Sequence, residues 1–208
     1  MDITSYDQMS SMELDVLKEI GSIGTGNAAT ALSTLLNTKV TMSLPEVSIM
    51  DYNEAISKMG GPEKIVAGVM SRIKGEINGI MLYTQELDAI NMMLEEMLGK
   101  KIENFFELTE MEVSAIIEVG NIIISSYTNA MTTLADLKTS LSVPGISINM
   151  LGGILTVPMA EYGYESNKIL TIGGKLSMGE RELNSNLLLL PDLKSLNHIF
   201  DKLRIKHD

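Results

Sequence analysis

The residues of this chain best suited to chemistry are a carboxylate and a carboxamide three positions apart, Glu118 and Asn121. Residues three apart on an α-helix share a face, so the two side chains leave the backbone together. The carboxylate can accept a charge-assisted hydrogen bond from a partner's Lys or Arg. The carboxamide donates and accepts at once, and can hold a water in one orientation. Neither is a useful nucleophile here, and no His, Cys or Lys repeats beside them. The chemistry on offer is the positioning of water against a reactive group that another molecule brings.

An isolated Glu-x-x-Asn reads equally well as two solvated positions on an amphipathic helix. This one belongs to a block that occurs twice, 99 residues apart. The first copy runs Ser10-x-x-Glu13-x-Asp15-x-x-x-Glu19-x-x-Ser22 and reaches Pro45 after 22 residues; the second runs Thr109-x-x-Glu112-x-Ser114-x-x-x-Glu118-x-x-Asn121 and reaches Pro144 after 22. Gly21 falls over Gly120, Ala31 over Ala130, Leu35 over Leu134, Lys39 over Lys138 and Ser43 over Ser142 without a gap. A repeat in register reports a duplicated structural unit. Glu19 and Ser22 are therefore the counterparts of Glu118 and Asn121, with Asp15 and Ser114 one turn earlier on the same faces.

Each copy must open with a helix. Ser10 with Glu13, and Thr109 with Glu112, have the spacing of a capping box. Leu17, Ile20, Ala28, Ala31, Leu32 and Leu35 give the first helix its apolar period, and the second is expected to run to about Ala135. Gly21, Gly24 and Gly26 each cost about 1 kcal/mol inside a helix, which predicts close packing against another helix. Strand-like runs follow at 39–43 and 46–51 around Pro45, then a short helix at 53–59 broken by Gly60-Gly61-Pro62, strands at 65–74 and 77–83, and a helix at 85–98 stopped by Gly99. The second half repeats the order, with strands at 139–143, 147–151, 169–177 and 183–190 and a helix at 192–203; 152–167 has no clear pattern. Late in the halves the offset becomes 106, with Glu76 over Glu182 and Asn91 over Asn197, so the second half has gained seven residues after Pro144. Each half reads as helix, hairpin, connecting segment, hairpin, helix. The expected fold is α+β, an α/β sandwich with pseudo-twofold symmetry and a mostly antiparallel sheet. Residues 1–208 are expected to form one domain of two repeats, 10–99 and 109–203, joined by the short connector 100–104.

Composition narrows the function classes. A formal net charge of −11 argues against nucleic-acid binding, which needs clustered Lys and Arg. The absence of Cys removes disulfides, thiol nucleophiles and Cys-based metal sites. The polar N-terminus and the lack of any apolar run of about 20 residues predict a cytoplasmic protein without membrane insertion. His198 and His207 have no metal-ligand spacing, and no metal site is expected. Gly21 to Gly26 lacks the preceding strand and the lysine of a phosphate-binding loop. Met92, Met93 and Met97 read as core, Glu95 and Glu96 as a solvated face, and Asn27 as either a cap or a buried hydrogen-bonding residue.

The pattern resembles the CheC/CheX/FliY phosphatases of bacterial chemotaxis. Glu118-Val-Gly-Asn121-Ile, Asp136-Leu and Val143-Pro144 are similar to the second site of CheC, and Glu19-Ile-Gly-Ser22-Ile-Gly-Thr-Gly-Asn-Ala-Ala-Thr-Ala-Leu to the first. The resemblance covers nearly the whole chain, including Pro191-Asp192-Leu193. It implies removal of phosphate from the aspartyl phosphate of the response regulator CheY. The Asn would orient the attacking water and the Glu would bond the regulator's Lys. No cofactor belongs to the phosphatase; Mg²⁺ is expected in the CheY active site. Ser22 departs from the family's Asn and is shorter than a carboxamide, so the first site is expected to be impaired or to dock only. The alternative implied is a non-catalytic adaptor of the flagellar switch type. CheD is a further partner of such proteins, but Asn149 stands where an acidic residue is expected and Gly152-Gly153 where a helix is expected.

Overall fold

Two capping boxes start the two long helices of this protein. A computed structural model describes residues 5–162 and 168–203. Helix α1 (Ser11–Leu36) is capped by Ser10 and Glu13, and α4 (Glu110–Leu134) by Thr109 and Glu112, in both cases reciprocally. The Ser10 amide donates to Glu13 at 2.6 Å and the Thr109 amide to Glu112 at 2.8 Å. Both helices end at a left-handed residue, Asn37 (φ 48°) and Asp136 (φ 49°), which stand 99 positions apart. Asn and Asp tolerate that backbone region better than most side chains. Asp136, part of the family-like motif, is thus a turn residue.

Along α1 the buried stripe includes Leu17, Ile20, Gly24, Ala28, Leu32 and Leu36. The expected Leu35 lies outside that stripe and is exposed, because steps of four lead from residue 28 to 32 and 36. Of the three glycines only Gly24 serves a helix crossing. A Cβ there would lie 2.6 Å from the Tyr127 ring and 3.0 Å from the Tyr127 Cα. Gly21 faces Pro45 and Val47, and Gly26 has nothing within 4 Å. Thr25 completes the contact, its hydroxyl 2.7 Å from the Tyr127 hydroxyl in a buried position. Asn27 is exposed in mid-helix, neither cap nor core.

The described residues form six α-helices and eight strands in one antiparallel sheet, an α+β fold. Strands β3 (Ile65–Gly75) and β4 (Gly79–Gln85) form one hairpin; β7 (Lys168–Met178) and β8 (Arg181–Pro191) form its counterpart. β4 pairs with β8, and Leu82 lies opposite Leu188, its own mate at the offset of 106. The pseudo-twofold axis passes through that pair.

The edges correct the sequence reading. β1 (Val40–Met42) and β2 (Glu46–Asp51) do not form a hairpin with each other. Both pair with β7 of the other half, end to end. β5 (Thr139–Leu141) and β6 (Gly145–Met150) likewise both pair with β3. Each repeat therefore supplies the edge strand of the other. The three residues between the paired segments, Ser43 to Pro45, face only two, Gly174 and Lys175; Ser142 to Pro144 face Ser71 and Arg72. This is a β-bulge at Pro45 and its twin at Pro144, which bends each strand and turns a side chain outward. Ser43 fills the gap in the ladder, its hydroxyl accepting from the Lys175 amide at 2.9 Å, and Ser142 does the same for Arg72 at 3.0 Å.

Helices α1, α4, α3 (Leu87–Leu98) and α6 (Leu193–Lys202) contribute to the larger core, on one side of the sheet. The other side carries α2 (Tyr52–Lys58) and its counterpart α5 (Leu151–Tyr162). The patternless stretch is thus helical up to Tyr162, although it contains Gly152, Gly153 and Pro158; 163–167 lies outside the described residues. Burial of Leu151, Ile154 and Leu155 outweighs weak propensity there. The carbonyls of Lys64 and Pro62 accept from the Leu151 and Gly152 amides. Gly68 admits Ile154, whose Cγ2 lies 3.0 Å from where its Cβ would be. The shorter α2 covers less of β7, and a cavity of about 640 Å³ opens over Gly173, Gly174 and Lys175. The connector is pinned: Asn91 exchanges two hydrogen bonds with Ile102, and Lys100 pairs with Glu112.

A methyl group at residue 24 has no space, whereas one at residue 26 meets nothing. Gly24→Ala is expected to destabilise the protein by about 2 kcal/mol through overpacking, and Gly26→Ala to stabilise it by about 0.5–1 kcal/mol. Urea midpoints of the two variants check the contrast.

Candidate functional site

The polar stripes lie on the outer faces of α1 and α4. Glu19, Asp15, Glu118 and Ser114 are exposed; Ser22 and Asn121 are half-buried. Helical periodicity places Met111, Ser114, Glu118 and Asn121 within an arc of about 80°. The same arc on α1 holds Met12, Asp15, Glu19 and Ser22. Asp15 is engaged by Lys18 at 2.9 Å, and the Ser114 hydroxyl donates to the Glu110 carbonyl at 2.7 Å, so both serve their own helix. The Glu118 carboxylate, the Asn121 carboxamide, the Glu19 carboxylate and the Ser22 hydroxyl have no hydrogen bond or ion pair with any described residue. Their bonding capacity is left unused by the described chain.

What holds Asn121 in place is the residue before it. A Cβ on Gly120 would lie 2.6 Å from the Val69 Cβ, so the absence of a side chain lets α4 lie directly on β3. On α1, Gly21 rests instead on Pro45, 3.2 Å from its Cγ. Pro45 and Pro144 thus act through the bulges and not as ligands. Below the Asn121 stripe, Glu112 is buried and its carboxylate takes the Thr109 amide, the Thr109 hydroxyl and the Lys100 ammonium. The Lys100 contact, then the Thr109 hydroxyl, hold its pKa down from 4.5 to about 2. Tyr127 has its pKa raised by burial beneath the helix crossing, with the Thr25 bond opposing.

Other expected features fall elsewhere. Met92 and Met93 are core. Glu95 and Glu96 are not merely solvated, since Arg181 pairs with both and Lys101 with Glu95. His198 approaches Glu76 at 3.9 Å, beside Lys202; His207 lies outside the described residues. Asn149 is exposed on β6 and its side-chain oxygen accepts from the Met150 amide at 2.8 Å. Among the described residues no group of three or more His, Cys, Asp or Glu could hold a metal ion, and no helix is long and apolar enough to cross a membrane. The sequence reading overlooked Met12 and Met111, both exposed and in register, and the fully exposed Phe106 on the 3₁₀ turn Phe105–Glu107 that leads into α4. The offset of 99 was the signal for the two methionines.

A sequence model of the CheC-like family matches residues 12–49, which span α1, the first bulge and most of β2. The chain is 27% identical over 199 residues to the CheY-P phosphatase CheC of Bacillus subtilis (strain 168), covering 94% of this chain and 95% of that protein. This chain is thus similar to the CheC-like family. It is also 31% identical over 148 residues to the flagellar motor switch phosphatase FliY of B. subtilis, covering 71% of this chain but only 38% of that longer protein. The fold is similar to that of Thermotoga maritima FliY (TM-score 0.72, 17% identity, 95% of this chain and 99% of that one). It is also close to a chain of the FliG–FliM complex from H. pylori (TM-score 0.70, 12% identity, 93% and 100%).

The buried Glu112 links the α4 cap to acid. Its pKa is lowered in the folded protein, so its contribution to stability is complete above about 4.5 and is lost as pH falls towards about 2. Urea midpoints measured from pH 5 to pH 2 should therefore fall more steeply for the wild type than for Lys100→Met. The variant should also be the less stable of the two at neutral pH. Parallel curves would contradict the assignment.

Proposed function

We propose that this CheC-like chain is a phosphatase for the aspartyl phosphate of CheY, acting through Glu118 and Asn121. The observation that carries the proposal is the unengaged carboxylate–carboxamide pair on the outer face of a helix that is otherwise packed and capped. The family relationship to proteins named as CheY-P phosphatases supports it.

In the reaction, Asn121 accepts a hydrogen bond from a water through its side-chain oxygen or donates through its amide, and holds the water in line with the phosphoryl group. The water oxygen bonds to phosphorus as the bond from phosphorus to the aspartate oxygen breaks. The aspartate leaves as a carboxylate, and the proton of the water ends on inorganic phosphate. Glu118 accepts a charge-assisted bond from a lysine of the receiver and fixes its orientation. Mg²⁺ in the receiver would neutralise the phosphoryl charge, so this chain need bring no metal of its own. Orientation of a single water accounts for about 10²- to 10⁴-fold in rate.

Glu19 and Ser22 form the weaker site. A serine hydroxyl is shorter than a carboxamide and leaves the water unsupported, so this stripe binds the receiver without hastening hydrolysis. A second reading, a non-catalytic adaptor, draws on the fold shared with the FliG–FliM structure. It applies to this chain if CheY phosphate binds and its decay is unchanged.

Single-turnover decay of phosphorylated CheY separates these readings. Asn121→Ala should slow the decay by about 100-fold or more, and Ser22→Asn should speed it. An Asn121→Ala variant at the wild-type rate would overturn the assignment.

A further inference from the structure

Several of the apolar side chains that this protein leaves in water recur at matched positions of the two repeats. Met12 (59% exposed) and Met111 (63%) stand 99 positions apart, as do Leu44 (83%) and Val143 (90%). Isolated exposed apolar residues need no explanation. These recur at matched positions in two copies that differ at neighbouring surface positions, as Asp15 against Ser114 and Ser22 against Asn121 show.

Their placement is built. Leu44 and Val143 are the middle residues of the two bulges, each between a serine that replaces a ladder contact and a proline that cannot donate to one. A bulge that only ended a strand would not need an apolar side chain at its apex. Leu44 precedes Pro45, which touches Gly21, the neighbour of Ser22. In the second half Gly120, the neighbour of Asn121, rests on Val69, whose ladder partner Ile146 is three residues beyond Val143. Met12 and Met111 lie on the stripes themselves, seven residues before Glu19 and Glu118, about 10 Å along each helix. Each stripe is thus bracketed, with a methionine at one end and an aliphatic knob beside the other. A methionine is a flexible side chain well suited to a contact that forms and dissolves repeatedly.

We infer that Met111 and Val143 are docking contacts for the phosphorylated receiver on which Asn121 acts, and that Met12 and Leu44 serve the first stripe in the same way. The inference rests on the phosphatase reading for its occupant, and on the continuity of these residues with the unengaged Glu118 and Asn121. The two brackets are unequal. Phe106 is held in place by Asn104, whose side chain accepts from the Phe106 amide at 3.0 Å and donates to Glu107 at 2.7 Å. Its counterpart at the offset of 99 is Asp7. The exposed ring stands five residues before Met111 on the lead-in to α4, apolar surface that the first helix lacks at the matching position, so the receiver settles preferentially on α4.

The test is the affinity of full-length protein for CheY of the same organism held active by beryllofluoride, read by fluorescence anisotropy beside single-turnover decay. Met111→Lys and Val143→Asp should each weaken binding about tenfold or more. Met111→Leu should bind as the wild type does, and Asn121→Ala should bind normally while losing turnover. Met12→Lys should weaken binding less than Met111→Lys. Met12, Met111 and Val143 are exposed, so their substitution leaves the fold intact. Wild-type affinity in both Met111→Lys and Val143→Asp overturns the docking contacts and leaves the phosphatase reading intact. Weakened binding together with full turnover in Asn121→Ala overturns the catalytic assignment and keeps the docking contacts. Failure of the wild-type protein to bind CheY overturns both.

Discussion

The arrangement depends on two long helices lying close together over the sheet, which only small residues at the contacts permit. Gly24 receives the Tyr127 ring, and Gly120 receives Val69. A methyl group at either position would lift a helix away from its support. With the inner faces so committed, the outer faces are left as two narrow polar stripes whose positions are fixed to the core. The capping boxes act on the same helices from their ends. Glu112 is the more constrained of the two caps, since Lys100 from the inter-repeat connector reaches it. Position, not reactivity, is what this fold supplies to the stripes, and that suits chemistry in which a water must be held and nothing covalent need form.

The sheet adds a second constraint. Because β1 and β2 complete β7, and β5 and β6 complete β3, each repeat completes the hairpin of the other. The duplication is therefore interlocked and not a pair of beads. Exchange at the edges keeps both bulges in register with the helices above them. It also lets the two copies diverge locally without loss of the shared frame. Divergence is visible on both faces. Ser22 replaces a carboxamide on one, and the short α2 leaves a cavity where α5 covers the sheet on the other.

Much of this could be read from the sequence, and the failures have identifiable causes. The helix starts were legible because a capping box is a local device, set by Ser10 with Glu13 and Thr109 with Glu112. Strand positions were legible to within a few residues, although β4 continues through Gln85, where a helix was expected to begin. Pairing was not legible. The runs on either side of Pro45 look like a hairpin, and only the three-dimensional register shows that both lie along β7. Residues 151–162 concealed their helix because Gly152, Gly153 and Pro158 each oppose it locally, and the burial that favours it is distant in sequence. The Glu118 and Asn121 pair stood out because it occurs in a repeat. The same repeat contained Met12 and Met111 on those faces, and also Leu44 and Val143, whose exposure depends on a bulge that no local pattern declares.

The central claim, under the proposed function, is that the Asn121 side chain faces a phosphoryl group carried by a docked receiver. The structure of the complex with beryllofluoride-activated CheY measures it directly. The account predicts the Asn121 carboxamide about 5–6 Å from the beryllium, room for one water hydrogen-bonded between them, with Glu118 bonded to a receiver lysine. A complex in which no receiver brings its acceptor site to Asn121, each lying over Ser22 alone or on the opposite face of the sheet, would contradict it.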